Sequence, residues 1–126
     1  TFLEYAIANG FQPESEARQE LAREALKSGK GTVALEQYAL LVQEKDASIE
    51  MFEGLVQTSI ALEELDRAEL AARAAIEKFP QKGKAFELLG DVLLAAEKKI
   101  EAREAYQQAL QLDPFLISAK GKLEKN

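Results

Sequence analysis

Apolar positions in this sequence recur every three or four residues and almost never alternate. Leu21, Ala22, Ala25 and Leu26 form one series, Ala34, Leu35, Tyr38, Leu41 and Val42 a second, and Phe52, Leu55, Val56 and Ile60 a third. That period turns one side of an α-helix toward a core, whereas a half-buried strand would show a period of two. β-Branched residues are sparse, and the apolar series stop at turn formers or cap residues: Gly29 to Thr32, Asp46 to Ser48, Pro80 to Gly83, and Asp113-Pro114. Asp66 is a candidate N-cap for a helix containing Ala68 to Ile76, because its carboxylate can accept from backbone N–H groups two or three residues on. The pattern predicts an all-α chain of about six helices of roughly 12–15 residues, joined by short connections, with partial helices at both ends.

One residue breaks the pattern. Gly90 sits inside FELLGDVLLAAEKK (Phe86 to Lys99), a stretch otherwise rich in helix formers. Glycine costs roughly 1 kcal/mol relative to alanine in a helix interior, since it has the most backbone freedom to lose. Its presence implies that something approaches the backbone more closely than a methyl group allows.

The chain also repeats. Leu21, Leu55 and Leu89 are 34 residues apart, as are Ala34, Ala68 and Ala102. At the same offset Phe52 matches Phe86, Ala75 matches Ala109 and Pro80 matches Pro114, while Tyr38 matches Tyr106 two periods on. Two helices per period divide the chain into three units, about 15–48, 49–82 and 83–116.

These residues at this spacing resemble the tetratricopeptide repeat (TPR) family. The family's unit carries an aromatic, then leucine and a small residue three and four positions later, and a large residue three beyond that. A small residue, an aromatic, an alanine and a proline follow. The third unit has all of these in Phe86, Leu89, Gly90, Leu93, Ala102, Tyr106, Ala109 and Pro114. The second departs at Val56, Ser59 and Ala72, and the first has Arg18 for the aromatic and Asp46 for the proline. Residues 1–13, with Tyr5, Ala8 and Pro13, are similar to the second helix of a preceding unit, and 115–125 to a polar capping helix. The resemblance implies an α-solenoid of three helix-turn-helix units with partial or capping helices at both ends, forming a single domain over 1–126. It also gives Gly90 a purpose: the small residue lets one helix ride against the other's aromatic.

Composition narrows the chemistry. The chain has neither cysteine nor histidine, which excludes disulfides, thiol nucleophiles, imidazole bases and nearly every zinc site. The formal charge is −6, and since acidic and basic residues balance over 83–126, the excess lies in 1–82. That balance argues against general nucleic-acid or anionic-membrane binding. No apolar run approaches the ~20 residues of a membrane span. Thr1 in first place and the lack of a signal-peptide pattern lead us to expect a fragment or a processed chain. The compartment stays open between cytoplasm and periplasm, and the alanine-rich, cysteine-free composition is consistent with a bacterial protein.

Two motifs invite catalytic readings and fail. KSGKGT (Lys27 to Thr32) lacks the early glycine of a phosphate-binding loop, has Gly31 where Ser or Thr must follow the lysine, and comes after a helix rather than a strand. Carboxylate pairs such as Glu63-Glu64 read as solvated helix surface, paired at three or four residues as Glu20 and Glu24 are with Arg23 and Lys27. We expect no catalytic residues, no metal and no cofactor.

The remaining candidate is a binding surface. The resemblance implies a concave groove lined by the second, fifth, ninth and twelfth residues of each unit: Glu16, Gln19, Arg23 and Leu26, then Glu50, Glu53, Gln57 and Ile60, then Lys84, Glu87, Asp91 and Leu94. Leu26, Ile60 and Leu94 would form an apolar row beside the carboxylates of Glu53, Glu87 and Asp91. Such a stripe suits an amphipathic protein or peptide segment carrying Lys or Arg, although the apolar row could equally pack neighbouring units. TPR domains that clamp acidic chaperone tails use two asparagines, two lysines and an arginine. Here those places hold Gln19, Arg23, Gly54, Lys84 and Leu88, of which only Lys84 fits. The leading expectation is thus a non-catalytic interaction module within a larger protein or assembly. The alternatives are self-association through apolar ends (Phe2, Leu3, Phe115, Leu116, Ile117) and an accessory domain of an enzyme or sensor.

Overall fold

The computed structural model describes residues 14–125. Seven helices run through them: α1 (Glu14–Lys27), α2 (Gly31–Leu41), α3 (Ile49–Ala61), α4 (Leu65–Lys78), α5 (Gly83–Ala95), α6 (Lys99–Leu112) and α7 (Ile117–Lys125). No strand occurs among the described residues, and none of their helices is long and apolar enough to cross a membrane. The element expected over 1–13, including Phe2 and Leu3, lies outside them.

Successive helices pack as the pairs α1–α2, α3–α4 and α5–α6, with α2 against α3, α4 against α5, and α3 also touching α5 directly. The turn inside each pair is the same device used three times. Gly29, Glu63 and Glu97 all take left-handed backbone, with φ of 74°, 61° and 64°. The next N–H then reaches back five residues: Lys30 to the Ala25 carbonyl at 2.7 Å, Glu64 to Ser59 at 2.8 Å and Lys98 to Leu93 at 2.8 Å. This Schellman arrangement satisfies carbonyls that a helix end would leave open. It also sets where the second helix begins. Lys30, Glu64 and Lys98 become the N-caps, so Asp66 is the second residue of α4 and not its cap, as the sequence had led us to expect. There it still favours the positive end of the helix dipole.

The core is built from small residues on one helix against large ones on the other. A Cβ on Gly90 would stand 2.6 Å from Tyr106 Cε1 and 2.7 Å from Cδ1, so the tyrosine ring lies directly on the α5 backbone. One pair boundary earlier, a Cβ on Gly54 would collide with the ring of Tyr38. The α3–α4 pair solves the same problem in reverse. Its small-residue place holds Val56 and its aromatic place Ala72, both fully buried. Phe52 meets Phe79 edge-on at 6.1 Å, and the ammonium groups of Lys78 and Lys82 lie 6.0 and 5.7 Å from the Phe79 ring centre. Lys78 also donates to the Lys45 carbonyl at 2.9 Å, tying the end of α4 to the loop after α2. In the first pair, Arg18 stands at the aromatic place and donates to Gln37 at 3.0 Å, an exchange of packing for a hydrogen bond.

Two substitutions test this packing in opposite directions. Gly90→Leu drives a side chain into the Tyr106 ring and is expected to cost about 1–3 kcal/mol. Glu97→Gly relieves a left-handed residue that touches nothing essential and should gain about 0.5–1 kcal/mol, after the larger freedom of glycine in the unfolded chain is offset. Urea titrations of both variants check the pair; an unchanged midpoint for Gly90→Leu would remove the close approach as an explanation.

Candidate functional site

The residues expected to line a groove sit on α1, α3 and α5, the first helix of each pair, and the structure brings them together in two different ways. Toward α1 the strip is open. Leu26 is 42 % exposed, and Glu16, Arg23, Glu50 and Gln57 are exposed, with Gln19 half-buried. The Arg23 guanidinium donates to Glu20 at 3.0 Å and to Gln19 at 3.1 Å. Toward α5 the strip closes. Ile60 and Leu94 are half-buried and packed on the core, Asp91 is half-buried, and Glu87 is fully buried.

A buried carboxylate needs partners, because the cost of removing its water must be met by opposite charge or hydrogen bonds. Glu87 finds them on two sides. Lys84 Nζ lies 3.2 Å from Oε1 and also 2.7 Å from Glu53 Oε2 on α3. Lys122 Nζ, from α7, lies 2.9 Å from Glu87 Oε2 and 2.9 Å from Asp91 Oδ1. Charges therefore alternate along the cluster: Glu53, Lys84, Glu87, Lys122, Asp91. Asp91 is further held by the Tyr106 hydroxyl at 2.8 Å and by the Gln57 amide at 3.0 Å.

Protonation follows from these contacts. Burial pushes the Glu87 carboxyl up, but hydrogen bonds from Ser118 and Lys122 and the charges of both lysines outweigh it and hold the group below the usual carboxylate range. Burial pulls Lys84 and Lys122 down, and their carboxylate partners more than reverse it, so both ammonium groups are held above the ordinary lysine value. Burial, joined by the Asp91 carboxylate, drives the Tyr106 hydroxyl far above the ordinary phenol range and keeps it a donor. Tyr38 is raised as well, mainly by burial, with Arg23 opposing and Glu53 adding to the shift.

Sequence reasoning placed Glu53, Lys84, Glu87 and Asp91 together and missed Lys122 and Tyr106 as their partners. The signal for Tyr106 was present, since its aromatic place faces the small residue sixteen positions before it. Lys122 stands one 34-residue step after Leu88, but in a short lysine-rich segment taken for a solvated cap its pairing partners could not be read. Among the described residues no group of His, Cys, Asp and Glu side chains is placed to hold a metal ion. The cluster is charge-compensated, as each carboxylate in it faces an ammonium group or a hydrogen-bond donor.

No protein-family model and no curated protein matches the sequence. Solved structures do. The first TPR of Spaghetti (RPAP3) bound to the HSP90 peptide SRMEEVD superposes with a TM-score of 0.74 at 22 % identity, covering 88 % of each chain. The first TPR domain of human RPAP3 gives 0.76 at 22 % identity, covering 88 % of this chain and 87 % of that one. MamA gives 0.71 at 23 % identity, covering 86 % of this chain and 64 % of its own. At such identities the likeness is one of architecture: the chain has the tetratricopeptide-repeat fold, an all-α helical repeat.

The charge cluster predicts how stability responds to pH. The lowered carboxyl of Glu87 contributes stability that is present above the unfolded carboxylate value and is lost as pH falls through the folded value. The raised lysines contribute below their unfolded value and lose it only at strongly alkaline pH. Glu87→Gln is expected to cost about 1–2 kcal/mol at neutral pH, less than the roughly 3–5 for a fully buried pair, because Lys84 and Lys122 keep access to water. Thermal melts from neutral to acid pH check it: the variant should lose less stability on acidification than wild type, and parallel curves would refute the assignment.

Proposed function

We propose that the chain is one repeat domain of three helix pairs, about 15–48, 49–82 and 83–116, closed at one end by α7, and that it is a non-catalytic module binding a peptide or protein segment along the face of α1, α3 and α5. The observation that carries this reading is the open half of that face. Leu26 is an exposed apolar side chain in a strip otherwise made of Glu16, Arg23, Glu50 and Gln57, with Ile60 half-exposed beside it. An apolar anchor ringed by polar groups is the composition expected of a recognition surface. One fold neighbour carries a bound peptide, which supports the same use of this architecture.

The peptide type does not carry over with it. Where acidic tails are clamped, this chain has Leu88 fully buried, Gly54 covered by Tyr38, Arg23 engaged by Gln19 and Glu20, and Lys84 held between Glu53 and Glu87. Negative groups outnumber positive ones on the open strip, so the partner is a segment with an apolar residue and Lys or Arg rather than an acidic tail.

Exposure decides the test. Ile60 and Leu94 help pack the core, so changing them would confuse binding with folding. Glu16→Lys, Glu50→Lys and Leu26→Ser combined alters only exposed side chains of the open strip and leaves the Gln57–Asp91 contact in place, and Leu70→Ser with Ile100→Ser alters side chains 72 % and 78 % exposed on α4 and α6. In affinity capture from the native host's lysate, a protein held by wild type and by the α4/α6 variant, but lost by the strip variant, is the expected result. Loss with the α4/α6 variant alone would move the working surface to the other side.

A second reading, self-association, is favoured by Phe115, two residues before α7, and Ile117, its first residue, which are 87 % and 82 % exposed. Sedimentation at rising concentration tests it. Under this reading the mass increases for wild type and stays monomeric for Phe115→Ser with Ile117→Ser.

A further inference from the structure

We infer that α7 is a detachable strap, whose Lys122 fills the anionic end of the binding face until a lysine-bearing helical segment of a partner takes its place.

Helix α7 is the most weakly held element of the fold. It has nine residues, near the length at which an isolated helix cannot sustain itself. Its only buried side chain is the small Ala119, with Leu116 and Leu123 partly covered, while Phe115 and Ile117 point into solvent. Gly121 weakens it further and has no packing reason to be there. A Cβ on Gly121 would meet nothing, in contrast to the crowding at Gly54 and Gly90. The glycine costs helix stability and gains no close approach in return.

What holds α7 is polar. Lys122 bridges Glu87 and Asp91, Ser118 helps to lower the Glu87 carboxyl, and the Arg103 guanidinium reaches the Leu123 carbonyl at 3.4 Å. The contact register is that of a further first helix. Lys84 meets Glu53 as Ser118 meets Glu87, each exactly one 34-residue step apart in both partners. Beneath α7 lies a prepared lysine site: a fully buried carboxylate, a second one oriented by the Tyr106 hydroxyl and the Gln57 amide, and Glu87 Oε1 without a well-directed hydrogen bond despite the nearby Lys84. Detachment of α7 leaves this site facing solvent with Lys84 as its remaining cation, which favours a segment of α7's own chemistry, helical and carrying one lysine at the position of Lys122.

The charged groups facing Lys122 include Glu87 and Asp91 of α5, with Lys84 beyond Glu87 and Arg103 of α6 at the end of α7. Salt weakens attraction among partly exposed charges, so the strap loosens as ionic strength rises.

This inference rests on the reading of α1, α3 and α5 as the binding face, but strap opening is measured without any partner, so the two fail separately. Hydrogen exchange of the full chain should show the α7 amides exchanging faster than those of α5 and α6. Gly121→Ala should slow α7 exchange about fivefold and leave α5 unchanged, whereas Lys122→Gln should speed it. A labelled synthetic peptide copying residues 115–125 should bind the Lys122→Gln chain several-fold more tightly than wild type, and Gly121→Ala more weakly. Replacing the peptide's own lysine at the 122 position with glutamine, or adding Glu87→Gln and Asp91→Asn to the chain, should abolish the gain. Exchange of α7 as slow as that of α5, or insensitive to Gly121→Ala, overturns the strap. Equal peptide binding by the three chains, or binding indifferent to the lysine, overturns the lysine site.

Discussion

Everything in this molecule depends on how closely the two helices of a pair can approach. Helix axes separate by what stands between them, and here one place on the first helix and one on the second decide it. In the α5–α6 pair the places hold glycine and tyrosine, in α3–α4 valine and alanine, and in α1–α2 alanine and tyrosine. The combined volume is shared out differently each time, and each solution leaves the residues buried. Close packing at interior density penalises both a gap and an excess methyl group, so the two places cannot vary independently. A tyrosine that fills the space from the second helix also carries its hydroxyl through to the first-helix side. That is how Tyr106, a core residue by burial, comes to orient Asp91 on the face formed by α1, α3 and α5.

The same register governs the charges. Because the pairs succeed one another by a fixed step, a side chain on one first helix meets a defined place on the next. Gln57 reaches Asp91 across equivalent positions, and Lys84 reaches back to Glu53. Interaction between neighbouring pairs is thus written twice, once in apolar contacts and once in a polar ladder along one face. Repeat architectures derive stability from such nearest-neighbour interfaces. The ladder is densest at α5, where the buried Glu87 requires a cation from each side, and it thins toward α1, where Arg23 turns to its own helix.

Much of this was legible in the sequence, and the reasons differ residue by residue. The 34-residue period was visible because equivalent places keep equivalent chemistry, as at Leu21, Leu55 and Leu89. Gly90 was legible as a close approach because glycine inside a helix is costly without one. The left-handed turns were only partly so. Gly29 announces itself, whereas Glu63 and Glu97 adopt the same backbone with a residue type that disguises it. That disguise is why Asp66 looked like a cap: with no turn signal at Glu63, the first acidic residue before the alanine run was the natural choice. Lys122 was illegible for another reason. Its partners lie 35 and 31 residues away on a helix that periodicity can locate only in outline, and a lysine near a chain end reads as solvated surface.

The apolar row along α1, α3 and α5 shows how one sequence pattern can end in two different environments. Leu26, Ile60 and Leu94 occupy the same place in successive units, yet the first is open and the other two lie against the core. Burial of Ile60 and Leu94 is spent on holding the stack together, so neither has its full apolar surface left for another molecule. Leu26 does, and it stands beside Arg23, Glu50 and Gln57, which are not locked into the ladder around Glu87 except through the single amide of Gln57. Along this face the α5 end is internally satisfied, whereas the α1–α3 end keeps both apolar area and polar groups exposed, which is the part the proposed binding role would use.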